Sequence, residues 1–314
     1  MSAHEHEKRL LRDMQSLPSS CTQGALAIGN FDGVHCGHAQ LIERLVESAR
    51  RVHGPAVVLT FDPAPLSLLR PDITPPKLTT LPRRTDLLRR LGVDWVIAYP
   101  TQLSTLQLSP EDFFQSIVVA GLKAKSIVEG ANFFFGKDRK GNVETLRSLV
   151  VSHQMTLDVV EMTQTESQIV SSSRIRELLQ RGDVAGANRC LTAPYSIEGQ
   201  VVVGSQRGRD LGFPTANLAE IETLVPGSGV YAAVAEVAGQ LYPAAVHIGP
   251  NPTYGENQLK VEAHIIGYRG DLYGTTLRVE FRERIRDVRR FGSVDELREQ
   301  LQRDIARAAQ LAAM

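Results

Sequence analysis

The chain has 314 residues, 42% hydrophobic and 22% charged, the composition of a soluble globular protein with length for two domains. Lysine plus arginine and aspartate plus glutamate each number 35, so the formal net charge is zero and the basic excess of a general nucleic-acid binder is missing. Cys21, Cys36 and Cys190 are odd in number and far apart, which argues against a disulfide framework and for a reducing cytoplasm. The charged start MSAHEHEKRLLRDMQ is no secretory signal, and no apolar run approaches the length of a membrane span.

In chain order, GALAIG predicts a strand, and HAQLIERLVESARRV, apolar at helical spacing, predicts a helix. PAVVLTF is a strand, RRTDLLRRLG a helix closed by Gly92, and VDWVIAYP a strand. SPEDFFQSIVVAGL opens a helix with Ser109 as cap, Pro110 in the first position and acids in the first turn. KSIVEG, NVETLRSLVVSHQ and MTLDVVEM read as strand, helix and strand. This alternation, up to about Gln168, makes a parallel sheet flanked by helices, with ligands expected at the carboxyl ends of its strands. Two short helices follow, SSSRIRELLQRG and VAGANRCL. From about Tyr195 the runs SIEGQVVVG, GVYAAVAEVAG, QLYPAAVHIG, LKVEAHIIGY and TTLRVEFRERIR are strand-like, separated by Gly, Pro and Asn. They predict an all-β unit closed into a barrel. The last helix, SVDELREQLQRDIARAAQLAA, begins with Ser293 and Glu296 in capping-box spacing. The expected domains are 1–188 and 189–314.

The stretch GNFDGVHCGH, Gly29–His38, joins the first strand to its helix. His35 and His38 lie at i and i+3, on one face of a first helical turn. Three readings compete. His35, Cys36 and His38 with Cys21 could hold zinc, but structural zinc sites favour four ligands in paired spacing. A plain turn needs no function. A phosphate site suits the free N–H groups and positive dipole end of a helix N-terminus, and Gly33 and Gly37 let a ligand come close to the backbone. The strand-to-helix placement favours phosphate. Neither a lysine-bearing Walker A loop nor a GxGxxG fingerprint is present.

With this motif the sequence resembles a known family. HxGH after a first strand is the signature of the nucleotidyltransferase superfamily, and the ten-residue form is similar to the bacterial bifunctional riboflavin kinase/FAD synthetases. The resemblance implies that His35 and His38 stabilise the charge of leaving pyrophosphate, with Gly29, Asn30, Phe31 and Gly37 around ATP. TFDPAP, Thr60–Pro65, resembles the second block and places Asp62 near the flavin; Ala64 stands where the family usually has histidine. GANFFFGKDRKGNVETL, Gly130–Leu146, resembles the nucleotide block, with Asn132 functional and Phe134 where many members carry arginine. SSSRIRELL, Ser171–Leu179, resembles the phosphate-binding segment, which implies that Ser172 and Arg176 contact phosphate. Lys137, Arg139 and Lys140 read as an exposed basic loop outside the core site.

GSQRGRDLGFPTANL, Gly204–Leu218, combines a glycine-rich basic loop with PTAN. Its backbone N–H groups can fold around an anion, and Thr215 and Asn217, two apart, point to one side of an extended segment. Taken alone, the loop reads better as a β-turn with surface arginines. It resembles the riboflavin kinase signature almost letter for letter. By that resemblance Gly204, Arg207, Gly208, Pro214 and Thr215 hold ATP, and Thr215 and Asn217 hold Mg2+. Glu262 in VEAHI is the catalytic base, and Arg286 lies near the flavin. The family implies a Rossmann-like nucleotidyltransferase domain, α/β, followed by a Greek-key β-barrel with a terminal helix. It implies two reactions, riboflavin to FMN and FMN to FAD with release of pyrophosphate, using ATP and Mg2+ in the cytoplasm. Riboflavin, FMN and ATP are the expected partners, with no nucleic acid and no membrane, for a monomer or weak homo-oligomer. The rivals are a chain that is a kinase only, a flavin-binding regulator without catalysis, and an adenylyltransferase for another acceptor.

Overall fold

The computed structural model describes residues 9–14, 17–161, 164–165, 168–204, 208, 211–251 and 256–312. Contacts divide the chain into one unit of Met1–Pro75 with Thr80–Ser171 and another of Pro76–Thr79 with Ser172–Met314.

The first unit is built on a parallel sheet of six strands in the order β1-β4-β3-β2-β5-β6. The strands are β1 (Leu10–Leu11), β2 (Ala25–Ile28), β3 (Ala56–Asp62), β4 (Trp95–Pro100), β5 (Ser126–Gly130) and β6 (Thr156–Val160). All four residues of β2 are buried, as expected of a central parallel strand covered on both faces. Leu26, Ile28, Val57, Leu59, Ile97 and Ile127 form the sheet's share of the core. Each such side chain contributes about 1.5–3 kcal/mol on burial.

Helix α1 (Cys36–Arg51) buries Ile42, Leu45, Ser48 and Ala49. The short α2 (Pro65–Leu69) and then α3 (Leu81–Arg90) follow, α3 capped by the Thr80 hydroxyl. Gly92 adopts a left-handed φ of 100°, as expected of the residue that ends this helix. The SPEDFF segment starts as α4 (Pro110–Phe113) with Ser109 as cap, but continues as a π-helix over Phe114–Gly121, a widening that periodicity does not reveal. Next is α5 (Val143–Ser152), capped by Asn142. A pairing that sequence patterning does not predict is β1 with β4: two leucines among charged residues are too short a run to read. From β2 the order runs outward through β3 on one side and β5 on the other, so the C-terminal ends of β2 and β5 flank the sheet's switch point. Beyond β6, β7 (Gln164–Thr165) and β8 (Gln168–Ile169) pair as a small antiparallel ribbon.

The second unit starts with α6 (Ser172–Gln180) and α7 (Val184–Cys190). A closed antiparallel barrel follows, ordered β10-β13-β12-β11-β14-β9. Its strands are β9 (Ser196–Val202), β10 (Ala216–Ala219), β11 (Gly229–Val237), β12 (Gln240–Asn251), β13 (Glu256–Ile265) and β14 (Thr276–Arg286). Closure removes free edges, and alternate residues fill the interior: Ile197, Tyr231, Ala233, Val246, Val261 and Phe281 belong to one core. Five of these strands match the predicted runs. The sixth, β10, begins within the PTAN motif and, at four residues, is too short to show as a strand. Helix α8 (Val294–Ala312) lays Ala308 and Leu311 against Ala232 and Ala245 on the barrel's outer wall. Its start differs from a simple capping box. Ser293 Oγ accepts from Glu296 N at 3.2 Å, but the Glu296 carboxylate accepts from Gly292 N at 3.0 Å, one residue further out.

Candidate functional site

The GNFDGVHCGH stretch leaves the C-terminal end of β2, beside the switch point. His35 is the N-cap of α1 and His38 its third residue. Each imidazole caps the other's backbone: His38 N donates to His35 Nδ1 and His35 N to His38 Nδ1, both at 3.3 Å. The rings stack at 3.6 Å between centroids with 15° between planes. This reciprocal cap settles the tautomer. Nδ1 accepts in both rings, so a neutral ring carries its proton on Nε2. Burial pushes the His35 pKa down to about 4, against a smaller raising effect of Asp32. Burial also holds His38 well below its ordinary range, helped by His35 and by the Arg84 guanidinium. Near neutral pH, both histidines are therefore neutral Nε2–H donors.

The loop before them is held in place on several sides. Gly29 N donates to Leu59 O at 3.0 Å, and a Cβ on Gly29 would come within 3.2 Å of the Phe31 ring. Phe31 is 3% exposed, and its ring centroid lies 5.1 Å from that of His38. Gly37 sits in the first turn of α1. A residue that the motif does not announce is Glu129, at the end of β5. Pairing of β2 with β5 ends at Leu26–Ile127, and the next free N–H, that of Ile28, donates to Glu129 Oε1 at 2.7 Å. The side chain thus replaces a backbone acceptor where the two strands part. Glu129 is 2% exposed, and burial raises its pKa well above the usual carboxylate range, against the lowering effect of the Ile28 and Gly130 N–H groups.

Asp62 ends β3 and pairs with Arg12 at 3.4 Å. Ala64 is the N-cap position of α2 and makes no side-chain cap. Asn132 is exposed in the turn after β5, where Phe133 N donates to Gly130 O at 3.0 Å. Phe134 is 46% exposed beneath the Arg139 guanidinium, 4.8 Å from its ring centroid. Ser172 and Arg176 belong to the second unit; there Arg176 Nε donates to Pro76 O at 2.8 Å.

On the barrel, register brings the kinase-motif residues into one row. Asn217 of β10 is opposite Glu262 of β13, and Glu262 is opposite His247 of β12. His247 is opposite Val230 of β11, and Val230 opposite Arg286 of β14. Residues directly opposite share a face, and their neighbours Val246, Ile248, Val261 and Ala263 fill the interior, so the row lies on the outer wall. His247 is a member that the sequence reading missed. Burial pulls its pKa down against the raising effect of Glu262, and its Nε2 lies 3.2 Å from Pro250 O. Arg286 is fixed by the buried Asp304 of α8: Nε lies 3.0 Å from both carboxylate oxygens and NH2 2.7 Å from Oδ2.

Pro214, Thr215 and Ala216 line an open cleft of about 280 Å³ with Ala263, Ile265 and Tyr268. Pro214 O is 2.8 Å from His264 Nδ1. Gly204 lies against the Asn217 amide, which a Cβ would crowd to 2.3 Å; a Cβ on Gly208 would meet Phe213 O at 2.5 Å. Arg207 lies outside the described residues. The Thr215 hydroxyl and the Asn217 amide offer oxygen ligands, the kind that fit a hard divalent cation such as Mg2+.

A family model described as FAD synthetase matches residues 17–174, and one described as riboflavin kinase matches 191–312. The chain is 33% identical to the bifunctional riboflavin kinase/FMN adenylyltransferase of Pseudomonas fluorescens, over 97% of this chain and 98% of that protein. It is 34% identical to the protein of the same name from Escherichia coli K12, covering 94% and 95%, and 34% to that of Bacillus subtilis, covering 95% and 94%. A crystal structure from Streptococcus pneumoniae, titled a macrolide-efflux protein, superposes with a TM-score of 0.84 at 30% identity, covering 96% of this chain and 98% of that one. No helix among the described residues of the present chain is long and apolar enough to cross a membrane.

Proposed function

The chain belongs to the bifunctional riboflavin kinase/FMN adenylyltransferase family, and we propose which of its residues perform the two reactions. It is an enzyme that phosphorylates riboflavin to FMN with ATP and adenylylates FMN to FAD with release of pyrophosphate. We assign FAD synthesis to residues 1–188 and riboflavin phosphorylation to 189–314.

For FAD synthesis, an oxygen of the FMN phosphate attacks the α-phosphate of ATP as the bond to the β-phosphate breaks. Negative charge gathers on the departing pyrophosphate. His35 and His38, both proton-bearing at Nε2, donate to those oxygens; the reciprocal cap is the observation that carries this assignment. Gly29, Asn30, Phe31 and Gly37 border the nucleotide, and Asn132, Ser172 and Arg176 complete its binding. Asp62 faces the flavin. No covalent enzyme intermediate is needed, since positioning and charge stabilisation suffice.

For riboflavin phosphorylation, Glu262 takes the proton of the ribityl 5′-hydroxyl as its oxygen attacks the γ-phosphate. The register of Glu262 between Asn217 and His247 supports this role. Gly204, Arg207, Gly208, Pro214 and Thr215 hold ATP, Thr215 and Asn217 hold Mg2+, and Arg286 borders the flavin. When bound, the metal supplies neutralisation of phosphate charge. The cytoplasm is the proposed location, in keeping with three free cysteines, and the proposed state is a monomer or weak homo-oligomer.

The test is to incubate the pure chain with riboflavin, ATP and Mg2+ and resolve the flavins by chromatography. FMN and FAD both form. Glu262→Ala abolishes FMN formation and leaves FAD formation from supplied FMN; His38→Ala does the reverse. A folded variant that lost both activities would overturn the two-site assignment.

A further inference from the structure

The loop that delivers the histidines is conformationally costly. Phe31 has φ 49°, Gly33 85° and Val34 44°, so two of its three left-handed residues are not glycine and one is β-branched. Such backbone persists only where its surroundings over-determine it. One side chain from outside the motif grips the loop on both sides of Phe31. From α3, Arg84 NH2 donates to Asp32 Oδ1 at 3.3 Å, and Arg84 NH1 donates to Thr60 Oγ1 at 3.3 Å. The Thr60 hydroxyl in turn donates to the Asn30 carbonyl at 3.2 Å. Arg84 is 8% exposed and Thr60 fully buried, so neither bond competes with bulk water.

We propose that Arg84 is a positioning residue for adenylyl transfer: its planar fork fixes Asn30 and Asp32 around Phe31, and through the Phe31 ring it fixes where His38 stands. The proposal rests on the assignment of FAD synthesis to the HxGH unit. A lysine would keep the charge but present a single ammonium instead of a fork spanning two acceptors. The clamp is therefore a matter of geometry as well as charge.

The test uses the full chain with Arg84→Met, Arg84→Lys and Thr60→Val, following FAD formation from supplied FMN. Arg84→Met should lower kcat about 10-fold or more while moving the KM for ATP much less, because a displaced donor is felt mainly in the transition state. Arg84→Lys should recover only part of the loss. Thr60→Val with Arg84→Met should be no worse than Arg84→Met alone, since both cut one relay. Riboflavin kinase activity of the same variants should stay within about 2-fold of the parent, since additive, uncoupled sites do not respond. The imidazole 15N resonances of His38 read the clamp without reference to activity and should move in Arg84→Met and in Thr60→Val, the near-isosteric variant that guards against misfolding. Unmoved His38 resonances, full recovery by lysine, or losses that multiply in the double variant would overturn the clamp. A parent chain that makes no FAD, with His38 still shifting in the variants, would instead overturn the assignment of the reaction.

Discussion

Glu129 shows how one residue can be both unusual for its place and well accounted for. Its carboxyl sits in a parallel strand core, where burial favours the uncharged form, and accepts the Ile28 N–H where β2 and β5 diverge. Glu129→Leu leaves that N–H buried without an acceptor, which costs about 1–3 kcal/mol. Glu129→Gln keeps the acceptor and should fold like the parent. The sign of the pH effect separates the two carboxyl states. The folded pKa is raised above the ordinary value of 4.5, so the native chain binds more protons than the unfolded chain between that value and the raised one. Stability contributed by this group is therefore present below pH 4.5 and is lost as pH rises through the window. Glu129→Gln removes that loss, and thermal melts should show its advantage over the parent widening as pH rises. His35 behaves oppositely. Its folded pKa of about 4 lies below the ordinary 6.5, so the unfolded chain binds the extra proton and stability falls as pH drops from 6.5 toward 4. His35→Gln should flatten that acid limb in the same melts. A flat limb in the parent would contradict the buried, neutral imidazole.

At this scale the histidines were legible because glycines, a strand end and a helix start surround them in ten consecutive residues. Arg84, Glu129 and His247 were not. Each is a single polar residue in an ordinary helix or strand pattern, and only the folded backbone brings it to the site.

The elements follow from periodicity where they are long. The strands and helices of the sheet unit and five strands of the barrel are plain in the hydrophobic pattern, since burial on one face or both dictates it. What escaped were the short members, β1, α2, the β7–β8 ribbon and β10, and the π-helical stretch after Phe113, all too brief or too local in pattern to read from periodicity. Helix α8 makes an element-scale prediction. It meets the barrel through a small apolar contact and the ion pair of Asp304, 2% exposed, with Arg286. Breaking a fully buried pair costs about 3–5 kcal/mol, and less is expected here because Arg286 keeps partial exposure. Asp304→Ala should lower the melting temperature of the barrel. It should also raise the KM for riboflavin if Arg286 stands at the flavin, while FAD formation from supplied FMN holds. An unchanged riboflavin KM would remove Arg286 from the flavin site.

For the whole molecule, FMN is the product of one reaction and the substrate of the next. The proposed assignment of the two reactions to separate sites predicts that FMN leaves one before it enters the other. Supplied with labelled riboflavin, ATP and excess unlabelled FMN, the chain should make FAD that is almost wholly unlabelled at early times; undiluted label would mean that FMN is not released. The barrel carries a further consequence in the alternation of its strands. Val261 and Ala263 build the interior while Glu262, the proposed base, stands between them on the outer wall, and Val246 and Ile248 build it on either side of His247. Stability and reactivity are thus written on interleaved letters of the same strands. Point substitutions can drift on one set without touching the other, so the core can be rebuilt under selection while the reaction is kept. An inserted or deleted residue in β12 or β13 has no such freedom. It would exchange the two sets in a single step, sending the glutamate into the apolar interior. Lineages of this barrel should accordingly tolerate many replacements in these strands and confine changes of length to the turns.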